Sequence, residues 1–116
     1  MQVLIVDDDM ATVDVIKNSV KWKELGVSDI FTAYNIQLAK EILKEHNIDI
    51  VISDICMPEA DGLLFSEECV KLFPEIKIIL VTGYDDFEYA RRGIKAGVFD
   101  YLLKPIEEKR LEKTLT

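Results

Sequence analysis

Apolar runs alternate along this chain with stretches in which apolar residues recur every three or four positions. Residues 3–6 are continuously apolar, as is typical of a strand that is covered on both faces. Further runs that predict strands lie at residues 29–34, 48–53, 76–81 and 99–103. A helical pattern follows each run, and five strand–helix pairs with short connections predict an α/β fold. We expect its parallel sheet to lie between two layers of helices.

Capping signals mark the first two predicted helices. Asp9 or a neighbouring residue is expected to cap the first helix, and Gly26 is expected to end it. Asn35 is expected to cap the second helix. The apolar positions at helical spacing are Val13, Ile16 and Val20 in the first helix and Leu38, Ala39, Ile42 and Leu43 in the second. Each helix is therefore predicted to pack one face against the sheet.

Three more helices are predicted in the second half of the chain. One covers residues 63–73 and ends before a proline. The next begins at a capping-box spacing, covers residues 86–96 and ends at Gly97. The last opens at Glu107. Each of these helices follows one of the later strands, which completes the five strand–helix pairs.

Composition fits one soluble globular domain. The 116 residues are 49% hydrophobic and 31% charged, and the net charge is -8. This acidity predicts that the chain does not bind DNA by itself, because nucleic-acid phosphates repel it. Cys56 and Cys69 lack metal-ligand spacing, and the opening residues lack the basic segment of a signal peptide. No apolar run approaches the roughly 18 residues of a membrane span, so we expect a cytoplasmic protein without membrane contact.

Polar residues directly follow the predicted strands. Because the carboxyl ends of parallel strands share one edge of a sheet, these residues are expected to meet in one pocket. Taken singly, each is an ordinary turn, cap or strand terminator. Together they supply three carboxylates, a hydroxyl, a backbone N–H and an ammonium group, which suit a divalent cation and a phosphoryl group. The residues are Asp7, Asp8, Asp54, Thr82, Gly83 and Lys104.

With these motifs the chain resembles the receiver domain of a two-component response regulator, over essentially its whole length. The matching stretches are residues 3–8, 54–62, 81–83 and 100–105. The resemblance implies a three-layer (βα)5 flavodoxin-like, CheY-like fold with strand order 2-1-3-4-5, an order that periodicity alone leaves open. Residues 84–90, and Trp22 before Gly26, are similar to receivers that precede an AraC-type helix-turn-helix domain.

The resemblance implies that Asp54 accepts the phosphoryl group. It also implies that Mg²⁺ or Mn²⁺ is held by carboxylates and by a backbone carbonyl, oxygen ligands that suit such a cation. The implied metal ligands are Asp7, Asp8, Asp54 and the carbonyl of Cys56. The implied phosphate contacts are Thr82, Gly83, Lys104 and Cys56.

A switch is also implied by the resemblance. Thr82 and Lys104 would move toward the phosphoryl group, and Tyr101 would turn into the space that Thr82 leaves. The Lys104–Pro105 bond is expected to be cis and to aim the lysine into the pocket. The output would be the surface of the fourth helix, fifth strand and fifth helix, through which related regulators often form a homodimer.

Receivers generally contact their sensor histidine kinase through the first helix. Besides its core positions, that helix has a second face at helical spacing, formed by Ala11, Val15, Asn18, Ser19 and Trp22. We hypothesise that Ala11, Val15 and Ser19 contact the kinase. The alternative is ordinary variation along an amphipathic helix.

The resulting prediction is a phosphorylation-dependent switch and not an enzyme in the metabolic sense. The chain is expected to be one receiver domain, residues 1–116, of a longer transcriptional regulator whose DNA-binding domain follows it. The alternative in the same family is a stand-alone CheY-like signalling protein that acts through protein contacts.

Three other classes of protein fit the sequence less well. A phosphatase of the haloacid dehalogenase type needs an aspartate two residues after its nucleophile, where this chain has Cys56. A flavodoxin-like FMN protein needs a hydroxyl- and glycine-rich phosphate loop after the first strand, where this chain has three aspartates. A degenerate receiver that only binds or dimerises usually loses an acidic or lysine position, and none is lost here.

Overall fold

Five parallel strands form the central sheet of the computed structural model, which describes residues 1–19, 21–54, 56–57, 60–82, 97, 100–103 and 113. The strands are β1 (Gln2–Val6), β2 (Asp29–Ala33), β3 (Ile50–Asp54), β4 (Lys77–Thr82) and β5 (Asp100–Leu103). They lie in the order β2-β1-β3-β4-β5, and each neighbouring pair is parallel. The α/β fold and the strand order 2-1-3-4-5 are confirmed.

Three α-helices connect the strands in the described part of the chain. They are α1 (Met10–Ser19), α2 (Ile36–Glu45) and α3 (Gly62–Leu72). The predicted helix at residues 86–96, the Lys104–Pro105 bond and the predicted helix from Glu107 onward lie outside the described residues, except for Lys113, which is helical. None of the helices that are described is long and apolar enough to cross a lipid bilayer.

Successive residues of β1 enter two different hydrophobic cores. Leu4 and Val6 pack with residues of α2 and α3, whereas Val3 and Ile5 pack with Val13 of α1. Side chains of a strand point alternately to the two faces of a sheet, so α1 covers one face and the other two helices cover the opposite face. This explains a continuous apolar run such as residues 3–6, since each of these positions is buried on one face or the other.

Hydrogen bonds confirm both predicted N-caps. Asn35 Oδ1 accepts from the backbone N–H of Leu38 at 2.7 Å, and Asp9 Oδ1 accepts from the N–H of Ala11 at 3.0 Å. Each bond satisfies one of the N–H groups that the first turn of a helix leaves without an intrahelical partner. The caps also fix where the chain leaves β2 and β1, so they help to shape the carboxyl edge of the sheet.

The prediction that Gly26 ends the first helix is wrong. The structure describes α1 as far as Ser19, Lys21 is not helical, and a separate 3-10 helix covers Trp22–Leu25. Gly26 ends this second helix in a left-handed conformation, with φ 84°. The physical reason lies in the tryptophan, whose indole Nε1–H donates to the carbonyl of Lys17 at 3.1 Å and so bonds a carbonyl near the end of α1.

Trp22 does not belong to the exposed second face of α1, which corrects another prediction. Its side chain is only 6% exposed and packs in the same core as Val13 and Ile16. The 3-10 helix begins a new helical phase, so the spacing counted along α1 no longer applies to Trp22. Ala11 and Val15 of that face are exposed.

The connection from β3 to α3 contains an element that was not predicted. Cys56–Met57 and Ala60–Asp61 form a two-stranded antiparallel ribbon beyond the carboxyl end of β3. The main sheet differs from prediction only at its strand ends. β3 begins at Ile50, two residues later than expected, and β4 extends to Thr82.

Cys69 of α3 is a buried free thiol, and its pKa is raised to about 12 from an ordinary value of 9.0. Burial away from water is the main cause, and the Glu68 carboxylate adds to it, while Lys40 acts in the opposite direction. Lys40 and Glu68 form a 3.1 Å ion pair between α2 and α3. This shift lowers the thiolate population at a given pH by about a thousandfold.

Cys69 is therefore expected to resist alkylation at pH 8 in the folded protein, because the thiolate is the reactive form. Iodoacetamide labelling followed by peptide-resolved mass spectrometry measures this reactivity. Protein unfolded in urea is the control, and there Cys69 should label at the rate of an ordinary cysteine. Rapid labelling of Cys69 while the circular dichroism spectrum stays native would contradict the prediction.

Candidate functional site

Three carboxylates meet at the carboxyl edge of the sheet. Asp7 and Asp8 directly follow β1, and Asp54 is the last residue of the neighbouring strand β3. One oxygen from each side chain lies within 4.8 Å of the corresponding oxygens of the other two. Asp7 is 1% exposed and Asp54 is 5% exposed, while Asp8 faces solvent. The cluster therefore has a buried floor and one open side.

Backbone hydrogen bonds hold Asp7 in place. Its N–H donates to the carbonyl of Ala33 at 3.0 Å, which extends the pairing between β1 and β2 by one residue. Its carboxylate Oδ1 accepts from the N–H of Asp9 at 2.9 Å. A hydrogen bond to one oxygen of a carboxylate orients the whole group.

Asp54 is held by the buried strand that it ends. All five residues of β3 are buried, and Asp54 lies opposite Val81 in the register with β4. The hydroxyl of the preceding Ser53 donates to the carbonyl of Asp54 at 3.2 Å. Asp54 therefore sits on a rigid element, between the strands that carry the other candidate residues.

The backbone places three further candidates around this edge. Thr82 is the last residue of β4, one position beyond Val81. Tyr101 lies in β5 opposite Leu80, and Cys56 begins the short ribbon two residues after Asp54. The side chains of these residues are not described. Gly83 and Lys104 lie outside the described residues.

The carboxylate cluster fits a divalent cation. Oxygen ligands are those that Mg²⁺ and Mn²⁺ prefer, and Mg²⁺ is usually bound through few carboxylates and several waters. Three carboxylates this close repel one another, and two of them are buried, so the cluster is costly without a compensating positive charge. The residues could therefore hold a metal ion, and the exposed Asp8 gives an approach from solvent.

One contact at this site was not predicted from the sequence. Asp9 was assigned only as a helix cap, but its backbone N–H also orients the Asp7 carboxylate. A backbone donor has no sequence signature, because every residue except proline has an N–H. The run of three aspartates predicted where the site lies, but it did not predict that the backbone of Asp9 orients Asp7.

Comparison with protein families gives a direct match. The model of the response regulator receiver domain matches residues 3–116. Among solved structures, the receiver domain of AraT, a response regulator from Geobacillus stearothermophilus, superposes with a TM-score of 0.91 at 34% identity. That alignment covers 98% of this chain and 88% of the other. A two component transcriptional regulator AraC from Clostridium phytofermentans ISDg also gives a TM-score of 0.91, at 31% identity over 99% of this chain and 89% of the other.

Curated relatives are longer than this chain. The transcriptional regulatory protein HptR of Staphylococcus aureus (strain NCTC 8325 / PS 47) is 33% identical over 98% of this chain, which corresponds to 44% of HptR. The uncharacterized transcriptional regulatory protein YesN of Bacillus subtilis (strain 168) is 34% identical over 98% of this chain and 31% of its own length. The chain thus spans less than half of the length of these relatives.

Proposed function

This chain belongs to the response regulator receiver domain family, and we propose that it accepts a phosphoryl group on Asp54 from a phosphohistidine of a sensor histidine kinase. The observation that carries the proposal is the meeting of Asp54 with Asp7 and Asp8, two of them buried, at the carboxyl edge of the sheet. A nucleophilic carboxylate is thereby placed beside carboxylates suited to a cation.

In the proposed reaction, a carboxylate oxygen of Asp54 forms a bond to phosphorus as the bond between phosphorus and the histidine nitrogen breaks. We propose that Asp7, Asp8, Asp54 and the backbone carbonyl of Cys56 hold Mg²⁺ or Mn²⁺, with Asp7 acting partly through water. The bound cation would supply positive charge that offsets the negative charge of the phosphoryl oxygens. The buried position of Asp54 at a strand end supports its role, because the nucleophile is held rigidly.

Thr82, Gly83 and Lys104 complete the proposed phosphate site. Thr82 would donate its hydroxyl, Gly83 its backbone N–H and Lys104 its ammonium group to phosphoryl oxygens. The register supports the first of these roles, since the residue opposite Asp54 is Val81 and Thr82 follows it. With these groups the domain would assist its own phosphorylation and dephosphorylation.

We further propose that phosphorylation changes an output surface. Thr82 and Lys104 would move toward the phosphoryl group, and Tyr101 would turn inward. Tyr101 lies in β5, the edge strand next to β4, and Thr82 is the last residue of β4. This arrangement supports a coupling between Tyr101 and Thr82. The surface of the fourth helix, β5 and the fifth helix would then support homodimer formation.

The proposed kinase contact lies on α1. Ala11 is exposed, and Val15 is 51% exposed although it is apolar. Both follow the turn that contains Asp7 and Asp8, so a kinase bound there would be close to the carboxylates. Ser19, whose side chain is not described, is the third residue of the proposed kinase contact.

The whole protein is proposed to be a cytoplasmic transcriptional regulator in which the receiver controls a DNA-binding domain outside this chain. The greater length of HptR and YesN and their names as transcriptional regulatory proteins support this proposal. Contact with DNA would belong to that other domain, because this chain carries a net charge of -8.

Incubation with acetyl phosphate and Mg²⁺ tests the function. The wild-type protein is expected to gain the mass of one phosphoryl group, because the carboxylate of Asp54 attacks the small donor directly. Asp54→Asn should gain none, since an amide is not a nucleophile in this reaction. Intact mass spectrometry measures the label, with and without EDTA.

Asp29→Asn is a matched control. Asp29 begins β2 at the opposite edge of the sheet and its side chain is exposed, so this variant should label like wild type. Labelling of Asp54→Asn at the wild-type level, or full labelling of wild type in EDTA, would rule out the proposed site.

A further inference from the structure

In the turn between β1 and α1, Asp9 is hydrogen-bonded both to a carboxylate of the candidate site and to the first turn of α1. The backbone N–H of Asp9 donates to Asp7 Oδ1 at 2.9 Å. The Asp9 side chain bonds α1 instead, because Oδ1 accepts from the N–H of Ala11 and Oδ2 accepts from the hydroxyl of Thr12, each at 3.0 Å. One residue therefore contacts both structures, through different atoms.

Asp9 is not itself a member of the carboxylate cluster. The carboxylates that come close enough to share one ion in the described part of the chain are Asp7, Asp8 and Asp54. Both oxygens of Asp9 already accept hydrogen bonds from α1. Apart from the effect of its charge, Asp9 can therefore influence a bound cation through the orientation of Asp7.

We propose that Asp9 is a positioning residue of the metal site, an inference that rests on the proposed function. An N-cap side chain holds the backbone at the start of a helix in one conformation. Here that conformation aims the Asp9 N–H at Asp7 Oδ1, and this bond sets the direction in which the other Asp7 oxygen points. Partners that orient metal ligands in this way commonly affect metal affinity by about tenfold or more.

The same connection couples the cation to the helix that carries the proposed kinase contact. Ala11 donates to Asp9 and is also one of the exposed residues of the α1 face. Coupling between two sites is reciprocal, so an ordered first turn of α1 favours cation binding, and a bound cation orders that turn.

Three variants distinguish the effect of the Asp9 cap on Mg²⁺ affinity from the effect of the Asp9 charge and from the effect of losing any helix cap. Asp9→Ala removes the cap, whereas Asp9→Asn keeps an oxygen that accepts from Ala11, removes the charge and places an amide N–H donor opposite the Thr12 hydroxyl. Asn35→Ala removes the equivalent cap of α2, which bonds Leu38 and none of the three carboxylates. A titration with MgCl₂, followed by two-dimensional NMR, measures the affinity of each variant.

Asp9→Ala is expected to bind Mg²⁺ about three- to tenfold more weakly than wild type, an effect at or below the lower end of the range for such partners, because this cap is exposed. Asp9→Asn and Asn35→Ala are expected to stay within about twofold of wild type. Amide hydrogen exchange in EDTA gives a second readout that needs no metal. The residue 9 amide should be protected in wild type and Asp9→Asn, and should lose that protection in Asp9→Ala.

Distinct outcomes contradict the inference and the proposed function. Unchanged affinity of Asp9→Ala, or equal weakening by Asn35→Ala, contradicts the positioning role while wild type still binds Mg²⁺. A loss in Asp9→Asn as large as in Asp9→Ala shows that charge acts instead of the cap, which also contradicts it. Absence of Mg²⁺ binding by wild type contradicts the proposed function itself, whatever the exchange data show.

Discussion

Replacing Trp22 with alanine is expected to lower the free energy of unfolding by about 3–5 kcal/mol, the usual cost of removing a large buried aromatic side chain. The side chain is 6% exposed and packs with residues of α1, β1 and β3 in the core on one face of the sheet. Its loss leaves a cavity that rigid strands and helices fill only in part. Urea unfolding followed by circular dichroism measures the change.

The hydrogen bond of the indole N–H also contributes to the free energy of unfolding, and a second variant tests this contribution. Trp22→Phe keeps an aromatic ring in the core but cannot donate to the carbonyl of Lys17. Its expected loss is smaller, about 1–2 kcal/mol, from one hydrogen bond and a reduced buried surface.

Leu72→Ala is the matched control for both tryptophan variants. Leu72 is 70% exposed at the end of α3, so its truncation should change the stability by no more than about 0.5 kcal/mol. A Trp22→Ala variant as stable as Leu72→Ala would contradict the buried position of the indole.

The strands and their shared edge were predictable because they depend on local composition. A run such as residues 3–6 is apolar on both faces only where helices cover both faces of the sheet, and the structure has that arrangement. Asn35 was equally predictable, since the cap depends on one side chain and the next three residues. The order of the strands came from the resemblance, because periodicity carries no information on which strands are neighbours.

The errors arose where a tertiary contact overrides a local pattern. Helical spacing appeared to continue from Val15 through Ser19 to Trp22, but burial of the indole and its bond to Lys17 favour a separate 3-10 helix. The ribbon of Cys56–Met57 and Ala60–Asp61 was missed because two-residue strands have no periodicity to detect. Within the site, the position of Asp7, Asp8 and Asp54 followed from strand ends, whereas the N–H of Asp9 did not.

Replacing Asp8 with asparagine is expected to raise the stability of the metal-free protein and to slow its Mg²⁺-dependent labelling. Two unit charges 4.8 Å apart, the upper limit for the separation of these carboxylate oxygens, repel by about 3.5 kcal/mol at an effective dielectric constant of 20. Asp8 is exposed, and solvent and salt screen much of this repulsion. We therefore expect Asp8→Asn to unfold with a free energy about 1 kcal/mol higher than wild type in EDTA, because neutralising one carboxylate relieves the repulsion.

The same variant should lose at least about tenfold in the rate of Mg²⁺-dependent labelling by acetyl phosphate, because it replaces a charged ligand of the proposed site with a neutral one. Stability should also respond differently to the cation. Added Mg²⁺ stabilises whichever folded protein binds it, in proportion to the logarithm of its concentration above the dissociation constant. Wild type should therefore gain stability over a range of MgCl₂ in which Asp8→Asn does not.

The free energies of unfolding of the two proteins are thus expected to cross as the Mg²⁺ concentration rises. The variant is more stable in EDTA, and wild type becomes the more stable protein at high Mg²⁺. Asp29→Asn removes an equal charge at the far edge of the sheet and should follow wild type in both conditions. In 1 M NaCl the advantage of Asp8→Asn in EDTA should shrink, because salt screens exposed charges at this distance. A variant that is less stable than wild type in EDTA would show that Asp8 contributes to folding through other contacts, and that its charge is not the cost that a bound cation offsets.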